Sequence, residues 1–209
     1  MLYRWKAHFQ QLASRFAHSG MTANQASLAG ALCVLLSLIC LALARTTPWL
    51  LWIHPLVLLA RFIFNALDGL LARKQNTASA AGEVFNELSD VIGDTLTFAV
   101  FYFLFPACRL LVVGLLLSIW FCEFVAVLAK SLPGGVRRQE SLGGGKPERA
   151  LWLGLFSLAW AWSPTSEHLA PLFLGLLTLL VLLSGLRRIA SALQAAKGHE
   201  YTSQTLYGK

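Results

Sequence analysis

Apolar residues fall into six long runs that are separated by short polar or Gly/Pro-containing links. The runs cover residues 26–44, 49–67, 84–106, 109–129, 150–166 and 169–186, and the fifth is the shortest. At about 1.5 Å per residue, a helix of this length crosses the roughly 30 Å hydrocarbon core of a bilayer. The pattern predicts an all-α integral membrane protein with six transmembrane helices in one domain over residues 21–190.

The segments on either side of this domain have a different pattern. In residues 1–20 five apolar side chains recur at spacings of three and four: Leu2, Trp5, Phe9, Leu12 and Phe16. This periodicity is typical of an amphipathic helix that lies in a membrane interface. The sequence therefore predicts an interfacial amphipathic helix over residues 1–20 and a cytoplasmic tail over residues 191–209.

Composition supports a membrane protein. Charged residues make up 13% of the chain and apolar residues 56%, whereas soluble domains carry about 25% charged residues. The four cysteines lie inside apolar runs without a C-x2-C pair, so we expect buried small hydrophobes and neither a redox nor a zinc site. Disordered, collagen-like, coiled-coil and secreted disulfide-rich classes are excluded.

The distribution of basic residues predicts the orientation. Of the 17 Lys and Arg residues, 14 lie on one side of a six-span arrangement, Arg45 and Arg109 lie on the other, and Arg61 lies inside the second span. Basic residues concentrate on the cytoplasmic side of membrane proteins, so both termini are expected there. Because these charges are spread through loops beside the spans, membrane lipids or a phosphate substrate fit them better than nucleic acid does.

Acidic residues are concentrated at the second and third spans. Five of the ten acids lie between residues 68 and 94: Asp68, Glu83, Glu87, Asp90 and Asp94. At 100° per residue the last four share one arc of a helix with Asn86, while Asn65 and Asp68 share a face of the preceding helix. Charges inside membrane spans are costly and are therefore functional candidates. Such an oxygen-rich site suits Mg²⁺ or Mn²⁺, and no histidine or thiol accompanies it.

The link between these two spans adds features of a phosphate site. It begins Asp68-Gly69-Leu70-Leu71-Ala72-Arg73 and reaches Gly82 after eight further residues. Small residues allow a ligand to approach the backbone, and the Arg73 guanidinium offers a forked donor for phosphate oxygens. Acids, a divalent cation and basic groups together indicate a phosphorylated substrate and phosphoryl-group transfer.

These residues resemble the signature of the CDP-alcohol phosphatidyltransferases, D-x2-D-G-x2-A-R-x8-G-x3-D-x3-D. Six of its eight fixed positions match at the correct spacing: Asp68, Gly69, Ala72, Arg73, Gly82 and Asp90. Thr22-Ala23-Asn24 before the first span resembles the family's T-P-N segment, and Gly145-Lys146 before the fifth resembles its second basic element. The resemblance therefore extends over nearly the whole chain.

The resemblance implies an enzyme of the bacterial inner membrane with its site on the cytoplasmic side. In that family an alcohol attacks the β-phosphorus of CDP-diacylglycerol, releasing CMP and forming a phospholipid. By position, Asp68 and Asp90 would be catalytic and would hold Mg²⁺ or Mn²⁺, with Asp90 as the general base. Gly69, Ala72, Arg73 and Gly82 would contact the cytidine and diphosphate, and Asn24 the nucleotide. A homodimer is expected on the same ground.

Two positions depart from the signature, because Asn65 and Asn86 stand where the first and third acids belong. An Asn carbonyl can ligate Mg²⁺ but contributes no charge. Glu87 and Asp94 lie on the same arc and restore four carboxylates, so the hypothesis is charge relocation. The predicted ligand set is Asp68, Asp90, Asn65, Asn86, Asp94 and Glu87. The same residues resemble a bacterial branch of the family with N-A-L-D-G followed by N-E-x2-D-x3-D.

The loop over residues 130–149 is the candidate for the acceptor side. Its residues Lys146, Arg149, Arg137 and Arg138 could bind a phosphate-bearing alcohol such as a glycerol or inositol phosphate; a solvated basic loop is the alternative. Two other functions also stay open on the sequence alone. One is a non-catalytic CDP-lipid-binding or regulatory protein, and the other is a cation pathway lined by Asp68, Asp90 and Asp94.

Overall fold

The fold was obtained as a computed structural model that describes residues 15–16, 20–132 and 143–207. For residues 164, 166 and 198–207 it describes the backbone alone. The amphipathic helix predicted over residues 1–20 lies almost entirely outside the described residues. The acceptor candidates Arg137 and Arg138 also lie outside them.

Every regular element in the described part of the chain is helical, which confirms the all-α prediction. The α-helices are α1 (Ala23–Ala42), α2 (Leu50–Lys74), α3 (Ala80–Leu104), α4 (Arg109–Ser131), α5 (Lys146–Trp162) and α6 (Ala170–Tyr207). Short 3-10 helices, Pro106–Cys108 and Pro164–Leu169, precede α4 and α6.

Four segments of the described chain are long and apolar enough to cross a membrane: Ala23–Ala42, Leu50–Lys74, Pro106–Ser131 and Glu167–Lys197. Of the other two helices, α3 carries four acids and α5 has only 17 residues. The described chain is therefore an all-helical membrane protein, and the count of six spans stays a prediction.

Two helices extend further than the sequence indicates. The sequence predicts that the second span ends near residue 67, but α2 continues to Lys74. Asp68-Gly69 and Arg73 therefore lie in a helix, and the prediction of a link that starts at Asp68 is wrong. Residues 70–74 contain good helix formers, and Arg73 and Lys74 suit the negative end of the helix dipole. Similarly, α6 runs through the predicted tail, and its 38 residues extend about 57 Å.

The turn between α2 and α3 is short and tightly specified. Asn76 has a positive φ of 55°, which asparagine tolerates better than most residues. The N–H of Thr77 donates to the Ala72 carbonyl at 2.9 Å and closes the helix end in a Schellman motif. Ser79 then caps α3, because its Oγ accepts from the N–H of Gly82 at 3.1 Å. The turn thus fixes where the acids of α3 begin.

The structure divides into two compact units. The first comprises Met1–Val100 and Leu153–Pro164, and the second comprises Phe101–Trp152 and Thr165–Lys209. The first unit contains α1, α2, most of α3 and the end of α5. The second contains α4, the start of α5 and α6.

In the first unit, α1 and α2 pack together through a buried cluster formed by Ala26, Leu67 and Leu71. Thr22 caps α1 in a capping box with Gln25, with hydrogen bonds of 3.2 and 2.9 Å. The Gln75 side chain at the end of α2 donates to the Met21 carbonyl at 2.8 Å. The start of α1 and the end of α2 therefore lie side by side.

A second set of contacts joins three helices further along the first unit. Ser37 of α1 lies 2.7 Å from His54 Nε2 of α2, and His54 Nδ1 lies 2.8 Å from Ser157 Oγ of α5. Ser157 Oγ also donates to the Leu153 carbonyl at 2.9 Å, so it accepts from His54 Nδ1. All three side chains are fully buried, and this network satisfies their polar atoms within the apolar packing.

In the second unit, α4 packs against α6 around a core that includes Leu115, Ile119 and Leu174. The segment before α5 also lies against α6. A Cβ at Gly144 would lie 2.5 Å from the Leu180 carbonyl oxygen, so only glycine permits this approach.

Candidate active site

Three polar residues of α2 face the acids of α3. Arg61, Asn65 and Asp68 are spaced four and three residues apart and therefore share one helix face. The Asn65 amide nitrogen donates to Asp90 Oδ1 in a short hydrogen bond, and Arg61 Nη1 lies 2.8 Å from Asp94 Oδ1. The two helices are thus joined by polar contacts at two successive turns.

Asp68 is buried, with 6% of its surface exposed, where three helices meet. Ser27 of α1 donates to Asp68 Oδ2 at 3.0 Å, and the N–H of Gly69 donates to Oδ1 at 2.5 Å. The charges of Asp90 and Arg73 also act on this carboxylate. Asp68 and Asp90 therefore lie close enough for their charges to interact, and their shared role as a site stays a prediction.

Asn65 has a specific role beside Asp90. Its amide oxygen lies against Gly30 of α1, where any Cβ would clash with it, and its amide nitrogen donates to the Asp90 carboxylate. An aspartate at this position would have no hydrogen to donate and would repel Asp90. The departure from the family signature therefore supplies a hydrogen-bond donor that holds Asp90.

The candidates for nucleotide binding lie at the same end of the first unit. The Arg73 guanidinium lies over Gly69, because a Cβ at Gly69 would be 3.7 Å from Nη1. Ala72 is half-buried, Gly82 is exposed in the first turn of α3, and Asn24 is exposed in the first turn of α1. Arg73 and Gly69 are thus brought together, while Asn24 and Gly82 lie at neighbouring helix starts.

The remaining metal candidates differ in their surroundings. Asn86 and Glu87 lie on α3 about one turn before Asp90 and are half-buried. Asp94 forms an ion pair with Arg61 of α2. Among the described residues, no group of three or more His, Cys, Asp or Glu side chains is arranged to hold a metal ion. The oxygen-only donors around Asp68 and Asp90 fit a hard divalent cation in their chemistry, and the ligand set stays a prediction.

In the second unit, two of the four acceptor candidates contact one buried acid. Arg149 is 1% exposed, and its Nη2 lies 3.0 Å from Glu123 Oε1 while Nη1 donates to the Gly144 carbonyl at 3.0 Å. Lys146 Nζ lies 3.9 Å from Glu123 Oε2. Arg188 of α6 joins them, with Nη1 at 3.8 Å from Glu123 and 3.0 Å from the Cys122 carbonyl oxygen.

Three residues of these clusters, Glu123, Arg188 and Arg61, had no role assigned from the sequence. A signal for two of them was present, because Glu123 is the lone acid of the fourth apolar run and Arg61 the lone Lys or Arg of the second. An isolated charge inside a membrane span needs a partner. The identity of that partner depends on which helices pack together, and spacing along the chain does not give it.

Comparison with known families identifies the class to which this protein belongs. The sequence model of the CDP-alcohol phosphatidyltransferase family matches residues 20–196. The chain belongs to this family and is a membrane transferase that acts by phosphatidyl transfer in phospholipid synthesis. The family resemblance of the signature residues is thereby confirmed.

Among individual proteins, the chain is similar to the inner membrane protein YnbA of Escherichia coli strain K12. The two are 36% identical over 199 residues, which cover 92% of this chain and 96% of YnbA. The chain is also similar in fold to the crystal structure of Mycobacterium tuberculosis phosphatidylinositol phosphate synthase (PgsA1) with CDP-DAG bound. That match has a TM-score of 0.63 and 18% identity, and it covers 88% of this chain and 92% of the synthase.

Proposed function

We propose that this protein transfers a phosphatidyl group from a CDP-diacylglycerol-type lipid to a small alcohol and releases CMP. The observation that carries the proposal is that Asp68 and Asp90 lie close enough for their charges to interact, with Ser27 donating to Asp68 and Asn65 donating to Asp90. The mycobacterial synthase of similar fold has CDP-DAG bound, which supports the same class of donor.

In the proposed reaction the alcohol oxygen attacks the β-phosphorus of the donor. A new oxygen–phosphorus bond forms, the bond between the β-phosphorus and the bridging oxygen breaks, and CMP leaves with that oxygen. Asp90 accepts the proton of the alcohol as general base. Its hydrogen bond from Asn65 occupies Oδ1 and restricts the rotation of the carboxylate.

We propose that Mg²⁺ or Mn²⁺ would be held by Asp68 and Asp90, with Asn65, Asn86 and Glu87 as further candidates, and would neutralise the diphosphate. Asp68 is prepared for this role because Ser27 and the N–H of Gly69 fix both of its oxygens.

The donor's nucleotide and diphosphate are assigned to residues around Gly69. The Arg73 guanidinium above it can donate two parallel hydrogen bonds to phosphate oxygens. Ala72, Gly82 and Asn24 complete the proposed set. Gly69 and Gly82 carry no side chain that would keep the nucleotide away from the helix backbone.

The acceptor is assigned to the basic cluster of the second unit, with Lys146 and Arg149 as first candidates together with Arg137 and Arg138. Three cations share one carboxylate there, and the buried Nε of Arg188 has no hydrogen-bond partner among the described residues. A cluster of three cations with an unused buried donor favours an alcohol that carries an anionic group such as phosphate.

The arrangement in the cell is part of the proposal. The basic residues beside the spans support cytoplasmic termini and a cytoplasmic active site in a bacterial inner membrane. A homodimer is proposed from the family alone.

The deciding experiment measures CMP release from CDP-diacylglycerol by the purified protein in detergent with Mg²⁺ or Mn²⁺. The acceptors are glycerol phosphate, inositol phosphate, serine, glycerol and buffer alone, and Asp68→Asn is the control enzyme. Release that depends on one alcohol and is lost in the control establishes the transferase.

A second candidate, a non-catalytic CDP-lipid-binding protein, is favoured by the loss of two acidic signature residues at Asn65 and Asn86. Saturable binding of CDP-diacylglycerol without CMP release from any acceptor would establish that function instead.

A further inference from the structure

An ion pair lies one turn deeper than the proposed catalytic acids. Arg61 Nη1 and Asp94 Oδ1 are 2.8 Å apart, and each side chain is 11% exposed. Arg61 lies on α2, four residues before Asn65, and Asp94 lies on α3, four residues after Asp90. Each charge neutralises the other within apolar helix segments, where an unpaired charge would be strongly unfavourable.

Arg61 makes a second contact, with Asp90 itself. Its Nη2 donates to the Asp90 carbonyl oxygen at 3.2 Å, while its Nη1 holds Asp94. The Asp90 side chain is held separately by Asn65. One face of α2 therefore holds Asp90 by both its backbone and its carboxylate, which fixes the position of this residue relative to Asp68.

Gly93 makes this arrangement possible. A Cβ at Gly93 would lie 2.6 Å from Arg61 Nη2, 3.2 Å from Cζ and 3.0 Å from Val34 Cγ2. The guanidinium therefore lies directly across the backbone of α3 in a space that a side chain would fill. Glycine at this position therefore allows Arg61 of α2 to approach the backbone of α3.

We infer that Arg61 is a positioning residue that holds α3 with Asp90 toward Asp68, and that Asp94 is the counter-ion of Arg61 and not a metal ligand. This inference rests on the proposed function and replaces the hypothesis of charge relocation at position 94. Asp94 then adds no charge to the cation site, because Arg61 neutralises it.

Two variants separate these roles. Asp94→Asn keeps a hydrogen-bond acceptor for Arg61 but removes the charge. Arg61→Lys keeps the charge opposite Asp94 but replaces the forked guanidinium with one ammonium, which cannot hold Asp94 and the Asp90 carbonyl in the same geometry. Asp68→Asn serves as the reference for loss of a proposed ligand.

The first measurement is binding of Mn²⁺ to the detergent-purified full chain by calorimetry, with melting temperature recorded for each variant. We expect Asp94→Asn to bind Mn²⁺ within about twofold of the unaltered protein, and Asp68→Asn to bind at least about tenfold more weakly. An equal loss of affinity in both variants would make Asp94 a ligand and overturn the counter-ion assignment.

The second measurement is the kinetics of CMP release. For Arg61→Lys we expect a melting temperature close to that of the unaltered protein, an unchanged KM for the CDP-lipid and a kcat lowered about tenfold, since misplacement of a reacting group affects the chemical step. An unchanged kcat would show that the pair only neutralises buried charge, and it would overturn the positioning role.

A double variant provides a test that remains informative if one of the single variants misfolds. Arg61→Met with Asp94→Leu removes both charges together, so the protein should remain folded although the contact with Asp90 is lost. We expect normal Mn²⁺ affinity with low kcat, whereas a fully active double variant would contradict the inference. If the unaltered protein neither binds Mn²⁺ nor releases CMP, the proposed function fails and this inference fails with it.

Discussion

The two units each contain a cluster of buried and partly buried charged residues, and among the described residues the clusters differ in the sign that predominates. In the first unit, three acids, Asp68, Asp90 and Asp94, accompany one buried base, Arg61. In the second, Lys146, Arg149 and Arg188 surround one acid, Glu123. Carboxylates therefore predominate in the first cluster and cations in the second.

This difference indicates what each cluster can bind. The excess of carboxylates in the first unit suits a divalent cation, and hydrogen bonds from Ser27 and Asn65 prepare the oxygens for it. The excess of cations in the second suits an anion, and forked guanidinium groups recognise phosphate well. Both kinds of ligand, a divalent cation and an anionic alcohol, belong to the proposed reaction.

The largest effect is expected when the first cluster loses Asp90, the proposed general base. Asp90→Asn retains the size of the side chain and can still hydrogen-bond Asn65, but it cannot accept a proton. CMP release should fall about a hundredfold to ten-thousandfold, while the melting temperature in detergent stays close to that of the unaltered protein. Glu83→Gln, at an exposed acid of the same helix, is the matched control. Near-normal release from Asp90→Asn would exclude Asp90 as the base.

In the second cluster, we expect loss of the acid Glu123 to lower the stability of the protein. Glu123→Gln leaves three cations without their shared carboxylate, and breaking such a buried pair costs about 3–5 kcal/mol of folding stability. We expect a markedly lower melting temperature in detergent, which added phosphate partly restores by replacing the missing anion.

Glu83→Gln, at an exposed acid in the first turn of α3, is the control for this change and should alter stability by about 0.5 kcal/mol or less. A Glu123→Gln variant that is as stable as the control would show that the basic residues do not depend on Glu123.

The third change tests the close approach of α2 and α3. Gly93→Ala places a Cβ 2.6 Å from Arg61 Nη2, and overpacking of this kind costs about 1–3 kcal/mol. Because the guanidinium must move, kcat should fall about tenfold with an unchanged affinity for Mn²⁺. Gly114→Ala is the control, since no described neighbour lies within 4 Å of a Cβ there. Equal activity of the two variants would contradict the positioning role of Arg61.

The sequence predicted the parts of this comparison that depend on local pattern. Periodicity predicts the all-α fold, the acids on one arc of the third span and the shared helix face of Asn65 and Asp68. The spacing of the signature residues predicts the family. The sequence did not predict that α2 continues to Lys74, because a glycine after an acid also fits a turn. Only the cap at Asn76 and Ser79 decides that boundary.

Pairing across helices was the other part that the sequence could not supply. Arg61 and Asp94 are 33 positions apart and Glu123 and Arg149 are 26 apart, so the pairs depend on how helices pack. Helical periodicity places a residue on a face but does not identify the helix opposite that face. Periodicity placed Asp94 on the same arc as Asp90, but it could not reveal the ion pair of Asp94 with Arg61.

The smallest effect concerns the hydrogen bond that prepares Asp68. Ser27→Ala removes the donor to Asp68 Oδ2, and one such bond contributes about 0.5–1.5 kcal/mol, or roughly two- to tenfold in an equilibrium. The Mn²⁺ concentration for half-maximal CMP release should rise by that factor, because the carboxylate is less well oriented for the ion. Ser131→Ala is the control, since its hydroxyl donates to the Leu128 carbonyl within α4. If both variants give the same half-maximal concentration, Ser27 stabilises helix packing and does not prepare Asp68 for a metal ion.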